Sequence, residues 1–345
     1  MKKVVVIGGG FAGSSVAKKL EKSFDVTLID LTDYFEFTPG VLRTIIEPEH
    51  MGKIQVKHQD YLKKTEVIIG KVKEIAKTYV KVGSKKIRFD YLVICSGSSY
   101  SSPIKDQNLV MDLRAKNLVK HSKQLDKASN VLIIGGGLVG VELAAEIVGK
   151  YGKSKEVTIV HSGENLIERN SEKAINYAEK FLKNKGVKIV LKERIISDEK
   201  GLCITNKNTC VKADIVFLCT GIVPNFEFMK ANFKDKLNEK NQIRVNQYLQ
   251  LESEKNIFAA GDVNSISIEK TAQNAQRQAA MVVKNIIALE RGKGLQEYKA
   301  KATPLVISLG KYKGIYSHGN FVFSGIIPAI MKVVIERKEM WKKRI

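Results

Sequence analysis

The first thirty residues leave this chain few choices of fold. Val4-Val5-Val6-Ile7 is an apolar run and Gly8-Gly9-Gly10-Phe11-Ala12-Gly13 follows it. A helical pattern then continues to about Leu20, and Val26-Thr27-Leu28-Ile29 ends at Asp30. Strand, glycine turn, helix, strand and acid, in that order, is the context that gives a G-x-G-x-x-G its meaning. Gly8 makes the tight turn, Gly10 lets a pyrophosphate approach the backbone, and Gly13 lets the helix pack close on the strand. Phe11 and Ala12 open the helix, whose free N–H groups and positive dipole end face the phosphates. Asp30 lies twenty residues after Gly10, where a carboxylate can accept hydrogen bonds from a ribose 2′-OH. These residues predict a dinucleotide site.

The same pattern then returns. Val131-Leu132-Ile133-Ile134 precedes Gly135-Gly136-Gly137-Leu138-Val139-Gly140, and a helix is expected from Val141 to about Val148. The strand Val157 to Val160 follows and ends at His161-Ser162. Two later apolar strands also match: Asp90 to Ser96-Gly97, and Asp214 to Thr220-Gly221. Gly135 lies 127 residues after Gly8 and Asp214 lies 124 after Asp90, so one unit is duplicated and two dinucleotide sites follow. Segment 131–149 is apolar enough to suggest a membrane span, but Glu142, Glu146 and its glycines favour strand, turn and helix.

Between the units, Val67 to Phe89 reads as four short strands broken by Gly70 and Gly83-Ser84. Asp33 to Pro48 is aromatic and carries two prolines; it suits either a surface loop with a short helix or a wall of the cofactor site. Ile257 to Asp262 is a short apolar strand closed by Gly261-Asp262, and Thr271 can cap a helix running to Leu289. After Lys301 come a glycine-turn pair of strands and an apolar segment, Phe321 to Ile335, followed by a basic tail. Ile326, Ile327, Ile330, Val333 and Val334 recur at near-helical spacing ahead of Arg337, Lys338, Lys342, Lys343 and Arg344. Such a helix suits an anionic membrane interface over 321–345, or docking on the protein's own core or on a second subunit, and a homodimer is one expectation.

Lys and Arg number 58 against 36 Asp and Glu, a formal charge of +22 that favours anionic partners. The basic residues are spread out, without an Arg-rich arm or zinc spacing, so nucleic acid is not the expected partner. Four cysteines, Cys95, Cys203, Cys210 and Cys219, form no C-x-x-C pair and fit buried thiols in a reducing compartment. The first strand begins directly after Met-Lys-Lys, leaving no room for a signal peptide, and residue 2 is not the glycine of a myristoylation site.

Two glycine-turn units, a meander between them and a late A-x-G-D resemble the two-dinucleotide flavoprotein family that includes glutathione reductase. The resemblance covers nearly the whole chain. It implies an α/β fold of two Rossmann-like FAD- and NAD(P)-binding domains with a small C-terminal α/β membrane-interface region. The implied boundaries are 1–112 and 241–300 for a split FAD domain, 113–240 for the NAD(P)H domain and 301–345 for the C-terminal region. On that pattern Gly8, Gly10, Phe11, Ala12, Gly13, Asp30, Ser96, Gly97, Gly261 and Asp262 face FAD. Gly135, Gly137, Gly140, His161 and Gly221 face NADH or NADPH. His161 stands where many NADH-specific members carry an acid, and a neutral or cationic residue there tolerates a 2′-phosphate.

The first unit lacks the redox cysteine pair of the disulfide-reducing branch, so electrons must leave the flavin directly. Gly140-Val141-Glu142-Leu143-Ala144, Thr271-Ala272-Gln273 and Ser308-Leu309-Gly310 resemble segments of type II NADH dehydrogenases and apoptosis-inducing-factor-like proteins. The resemblance implies an FAD-dependent NAD(P)H:quinone oxidoreductase, non-pumping and peripheral on the cytoplasmic face of a membrane. Glu142 is the expected tuning or proton-handling residue, or else a carboxylate that serves only the helix dipole. Gln273 and Arg277, four apart on one helix face, either hydrogen-bond the quinone or form a solvated surface. Where those dehydrogenases carry a second glutamine, this chain has Arg277, with Gln278 beside it. The alternatives are a ferredoxin- or rubredoxin-type reductase, a sulfide:quinone reductase and a nucleotide-sensing, DNA-binding flavoprotein.

Overall fold

The computed structural model describes residues 1–101, 103–105, 110–199 and 201–344. In the first unit β1 (Lys3–Ile7) leads through the glycine turn into α1 (Phe11–Leu20) and β2 (Asp25–Asp30). Helix α2 (Val41–Ile46), β3 (Glu66–Ile69) and β4 (Tyr91–Ile94) follow. These strands form a parallel sheet in the order β4-β1-β2-β3, with Ile7 opposite both Ile29 and Ile94. Val4, Val6, Leu28 and Val93 are fully buried, as a parallel sheet covered on both faces requires.

The expected four-strand meander is corrected in one respect. Its first member, β3, pairs parallel with β2 and completes the sheet edge. Only Val72–Ile75, Tyr79–Val82 and Lys85–Arg88 form the antiparallel meander. A four-residue apolar run carries no mark of whether its neighbour will be parallel or antiparallel.

Helix α3 (Met111–Lys127), which the sequence pattern did not bring out, crosses to the second unit. There β5 (Asn130–Ile134), α4 (Leu138–Tyr151), β6 (Glu156–His161), α5 (Glu172–Asn184), β7 (Lys188–Leu191) and β8 (Ile215–Leu218) repeat the plan. The sheet order β8-β5-β6-β7 matches β4-β1-β2-β3. An antiparallel meander of Ile195–Glu199, Leu202–Thr205 and Cys210–Lys212 again precedes the last parallel strand.

The chain then returns to the first unit. Strand β9 (Ile257–Ala259) adds beside β4, and α6 (Ala272–Glu290) lies against α1, its N-cap Thr271 accepting a hydrogen bond from Asn274 N. Three antiparallel strands, β10 (Leu305–Ser308), β11 (Gly314–His318) and β12 (Phe321–Gly325), precede α7 (Ile326–Arg344). Phe321–Gly325 is therefore a strand; Tyr316 stacks on Phe323 across it, and the helix begins only at Ile326. No helix among the described residues is long and apolar enough to cross a membrane.

Helix α7 closes back onto the first unit. Lys343 is buried there: its ammonium donates to Ser14 Oγ at 2.7 Å and lies 4.9 and 4.6 Å from the ring centres of Phe35 and Tyr61. Burial pushes its pKa down from 10.5 to about 7, against the pull of Glu339 and with the repulsion of Lys18 and Lys342. The unfolded chain thus binds a proton that the folded chain has released between about pH 7 and 10.5, so this contact gains stability as pH rises through that window. Thermal melts of the wild type and Lys343→Met should show the wild type gaining Tm relative to the variant between pH 7 and 9. Parallel curves across that range would refute the burial effect.

Candidate active site

Each glycine turn is shaped by contacts that only glycine permits. Gly8 has φ +94°, and a Cβ there would overlap the carbonyl oxygen of Cys95. A Cβ at Gly13 would overlap the carbonyl oxygen of Gly8, whereas one at Gly10 would meet nothing within 4 Å. Gly10 is the N-cap of α1, extended at φ −68° and ψ −158°, and no side chain caps the helix. The second unit repeats this: Gly135 at φ +114° against Cys219, Gly140 against Gly135, and Gly137 open as the uncapped start of α4. An open cradle at an uncapped helix N-terminus fits a pyrophosphate in both units.

Around the first cradle the expected residues converge. Asp30 ends β2; its Oδ1 accepts from Leu31 N at 2.7 Å, and its Oδ2 lies 2.9 Å from His58 Nε2. His58 is fully buried, with Nδ1 2.7 Å from the Tyr61 hydroxyl. Phe11 meets the edges of Phe35 and Phe37, so the aromatic stretch after Asp30 builds a wall beside the helix start. Gly261, at φ +89°, brings its backbone against Ala12. Gln278 Oε1 accepts from Gly261 N at 2.7 Å and Asn264 Nδ2 at 2.8 Å, fixing the Gly-Asp turn. Asp262 accepts from Ser98 Oγ at 2.7 Å. The ammonium of Lys105 donates to Ser98 O among the charges of Asp262, Asp30 and Glu36, and desolvation holds it below the ordinary lysine value. Lys105 thus lies within reach of the charges of both expected carboxylates.

The two units are stitched together at their strand ends. Ser96 Oγ donates to Asn225 O at 2.7 Å, Asn225 Nδ2 donates to Ser96 O at 2.8 Å, and Asn225 N donates to Gly97 O at 3.0 Å. Ser98–Ser99 pairs antiparallel with Val223–Pro224, so Gly97 faces Asn225, while Gly221 (φ +105°) precedes the paired segment of the second unit. Cys95 and Cys219 are buried, and burial raises both thiols, Cys219 to about 12. Neither can supply a thiolate at neutral pH. No group of residues suited to hold a metal ion occurs among the described residues.

Glu142 sits at a three-way junction. Its Oε1 accepts from Ser308 N at 2.7 Å and from Lys332 Nζ at 2.5 Å, joining α4 to β10 and α7. Beside it Arg43 of α2 pairs with Glu146 at 2.9 Å, and His50 with Glu336 at 3.0 Å. These side chains line one cavity together with Pro39, Ser308 and Gly310. Gln273 and Arg277 do share a face of α6, and both are exposed. His161 ends β6 half-buried, its ring beside Gly136.

Sequence reasoning missed His58 and Lys332, and it read Lys343 as part of the basic flank of the interfacial helix, whereas that side chain is buried against Ser14. Each acts across 28 to 329 residues of chain, and no local pattern announces such a partner. Gln278 was visible beside Arg277 but had no stated role.

The sequence matches the pyridine nucleotide-disulphide oxidoreductase family over residues 2–279. The chain belongs to that family. This oxidoreductase is 34% identical to apoptosis-inducing factor homolog B of Dictyostelium discoideum, over 91% of this chain and 89% of that protein. It is 31% identical to ferroptosis suppressor protein 1 of Xenopus tropicalis, over 91% and 87% of the two chains. Its fold is similar to that of the sulfide:quinone oxidoreductase of Aquifex aeolicus, with a TM-score of 0.85 at 21% identity, covering 100% and 92%. The cofactors of this oxidoreductase are FAD and NADH or NADPH, held by two Rossmann-like domains.

Gly13→Ala should lower the Tm by several degrees, because overpacking at a closed contact costs about 1–3 kcal/mol. Gly10→Ala should leave the Tm of the apoprotein unchanged while its methyl group crowds the phosphate cradle, lowering the bound flavin absorbance after gel filtration. Equal effects of the two variants on both readouts would contradict the division of roles.

Proposed function

We propose that this oxidoreductase is an FAD-dependent NAD(P)H:quinone oxidoreductase working at a membrane surface. The observation that carries the proposal is the two-sidedness of α7. Its inner face presents Lys332 to Glu142, while Ile326, Ile327, Ile330, Val334 and Trp341 on its outer side are 54–62% exposed. A stripe of that kind, flanked by Lys342 and Arg344 on a chain of +22 charge, suits an anionic lipid interface on the cytoplasmic face. One helix would then link the bilayer, where a lipid-soluble quinone resides, to the junction of the two nucleotide units. The likeness in fold to a sulfide:quinone oxidoreductase supports a quinone as acceptor.

When bound, FAD supplies the hard step, taking hydride from the nicotinamide and passing two electrons on. The protein's part is placement and proton handling. Asp30 and Asp262 orient the flavin nucleotide, and the cradles at Gly10 and Gly137 hold the two pyrophosphates. Gly8, Gly13, Gly135 and Gly140 shape those cradles; Ser96, Gly97 and Gly221 line the seam between them. Glu142 positions the Lys332 ammonium, and the pair passes a proton on as the quinone is reduced. Gln273 and Arg277, exposed on α6, offer hydrogen bonds to the quinone oxygens.

The first test is an anaerobic visible spectrum: NADH should bleach the flavin and a ubiquinone analogue should restore it. Bleaching without restoration would sink the quinone assignment and point to a protein electron carrier. Glu142→Gln should cut quinone turnover about a hundredfold, the scale of general acid–base catalysis, with flavin content unchanged. Undiminished turnover would reduce Glu142 to a structural tie.

Wild-type protein should float with anionic liposomes, whereas Ile327→Glu/Ile330→Glu/Val334→Glu should remain at the bottom of the gradient. Flotation of both would remove α7 from membrane attachment.

A further inference from the structure

The duplicated unit contains its own control. Paired residues Ile7↔Ile29 and Ile134↔Val160 make Asp30 and His161 equivalent strand ends. In the first unit a Cβ at the middle glycine, Gly9, would run into the Asp30 carboxylate. In the second, the corresponding neighbours of Gly136 are Leu166 and the His161 ring. The strand end itself therefore offers no carboxylate to an adenosine ribose.

The chain beyond His161 folds in a way that replaces it. Residues 162–168 turn back over the glycine turn, where Ile167 N donates to Gly136 O at 2.8 Å. Ile167 is buried at φ +45°, a left-handed conformation that is costly for a β-branched residue. Leu166 is fully buried, and its N–H donates to Glu179 Oε1 of α5 at 3.2 Å. This strained, anchored turn delivers Glu168 to the loop just past the strand end. Its Oε1 accepts from Glu164 N at 2.6 Å and Asn165 N at 3.5 Å, and a Cβ at Gly163 would collide with it. The nearby cation Lys192 is engaged by Glu164 at 2.8 Å.

We infer that Glu168 is the residue that selects NADH over NADPH in this oxidoreductase. Its carboxylate occupies the backbone N–H groups that would otherwise hold an anion, accepts the ribose 2′-OH, and repels a 2′-phosphate. The inference rests on nicotinamide binding by the second unit and not on the identity of the electron acceptor. Like-charge juxtaposition in a binding site is an effective device against the wrong ligand.

The test is anaerobic stopped-flow reduction of the bound FAD by NADH and by NADPH, at low and high salt. The wild type should show an apparent Kd for NADPH about tenfold or more above that for NADH, a separation that narrows with salt. Glu168→Gln, which keeps an amide oxygen for the loop, should tighten NADPH about tenfold and change NADH less than about threefold. Glu179→Ala removes the Leu166 anchor without touching the Glu168 charge and should weaken both nucleotides alike. Equal use of both nucleotides by the wild type overturns the inference. So does a Glu168→Gln variant that weakens both equally, since Glu168 would then only brace the loop. A flavin that neither nucleotide reduces would overturn nicotinamide binding itself, a separate failure.

Discussion

Everything in this protein hangs on how closely a helix can approach a strand. At Gly13 and Gly140 the helix backbone lies so near the preceding turn that no Cβ fits. That approach aims the uncapped helix N-terminus at one place above the sheet edge, where a pyrophosphate finds both hydrogen-bond donors and a favourable dipole end. Larger residues would push the helix outward and misdirect the donors. The same contact, made twice, produces two nucleotide cradles. The Ser96–Asn225 hydrogen bonds and the Ser98–Pro224 strand pairing then hold the two units at a common seam.

Much of this plan was legible from residue order because it is local. Turn glycines, apolar strands and capped helices each announce themselves within about a dozen residues, and their repetition disclosed the duplication. Thr271 as a cap was of this kind, whereas the placing of Gly261-Asp262 beside the first glycine turn came only from the family resemblance. The misread elements depend on information that is not local. Strand β3 resembles a meander strand because a short apolar run does not encode its partner's direction. Phe321–Gly325 has the apolar content of the helix that follows it, but ring stacking with Tyr316 makes it a sheet edge.

The candidate site divides along the same line. Asp30, Asp262 and Glu142 could be named from sequence, but what each is bonded to could not. Asp30 is braced by buried His58 and Tyr61, Glu142 by Lys332 from the far end of the chain, and Asp262 by Ser98. A glutamate on a helix and a glutamate locked to a lysine between three elements are the same letter in a sequence. Only the second has a fixed position and a defined proton partner. Glu168 is a sharper case, since its placement depends on a left-handed isoleucine that no composition rule would predict.

Strand β9 sits beside β4, although some 160 residues separate them in sequence. The first sheet therefore lacks one of its strands until the whole second unit has been synthesised. The second unit, by contrast, has all four of its parallel strands within a continuous stretch from Asn130 to Leu218. On a ribosome, the half made later can reach its final form before the half made earlier. The site formed by Gly261-Asp262, with α6 beside α1, is thus completed only after the whole second unit has been made.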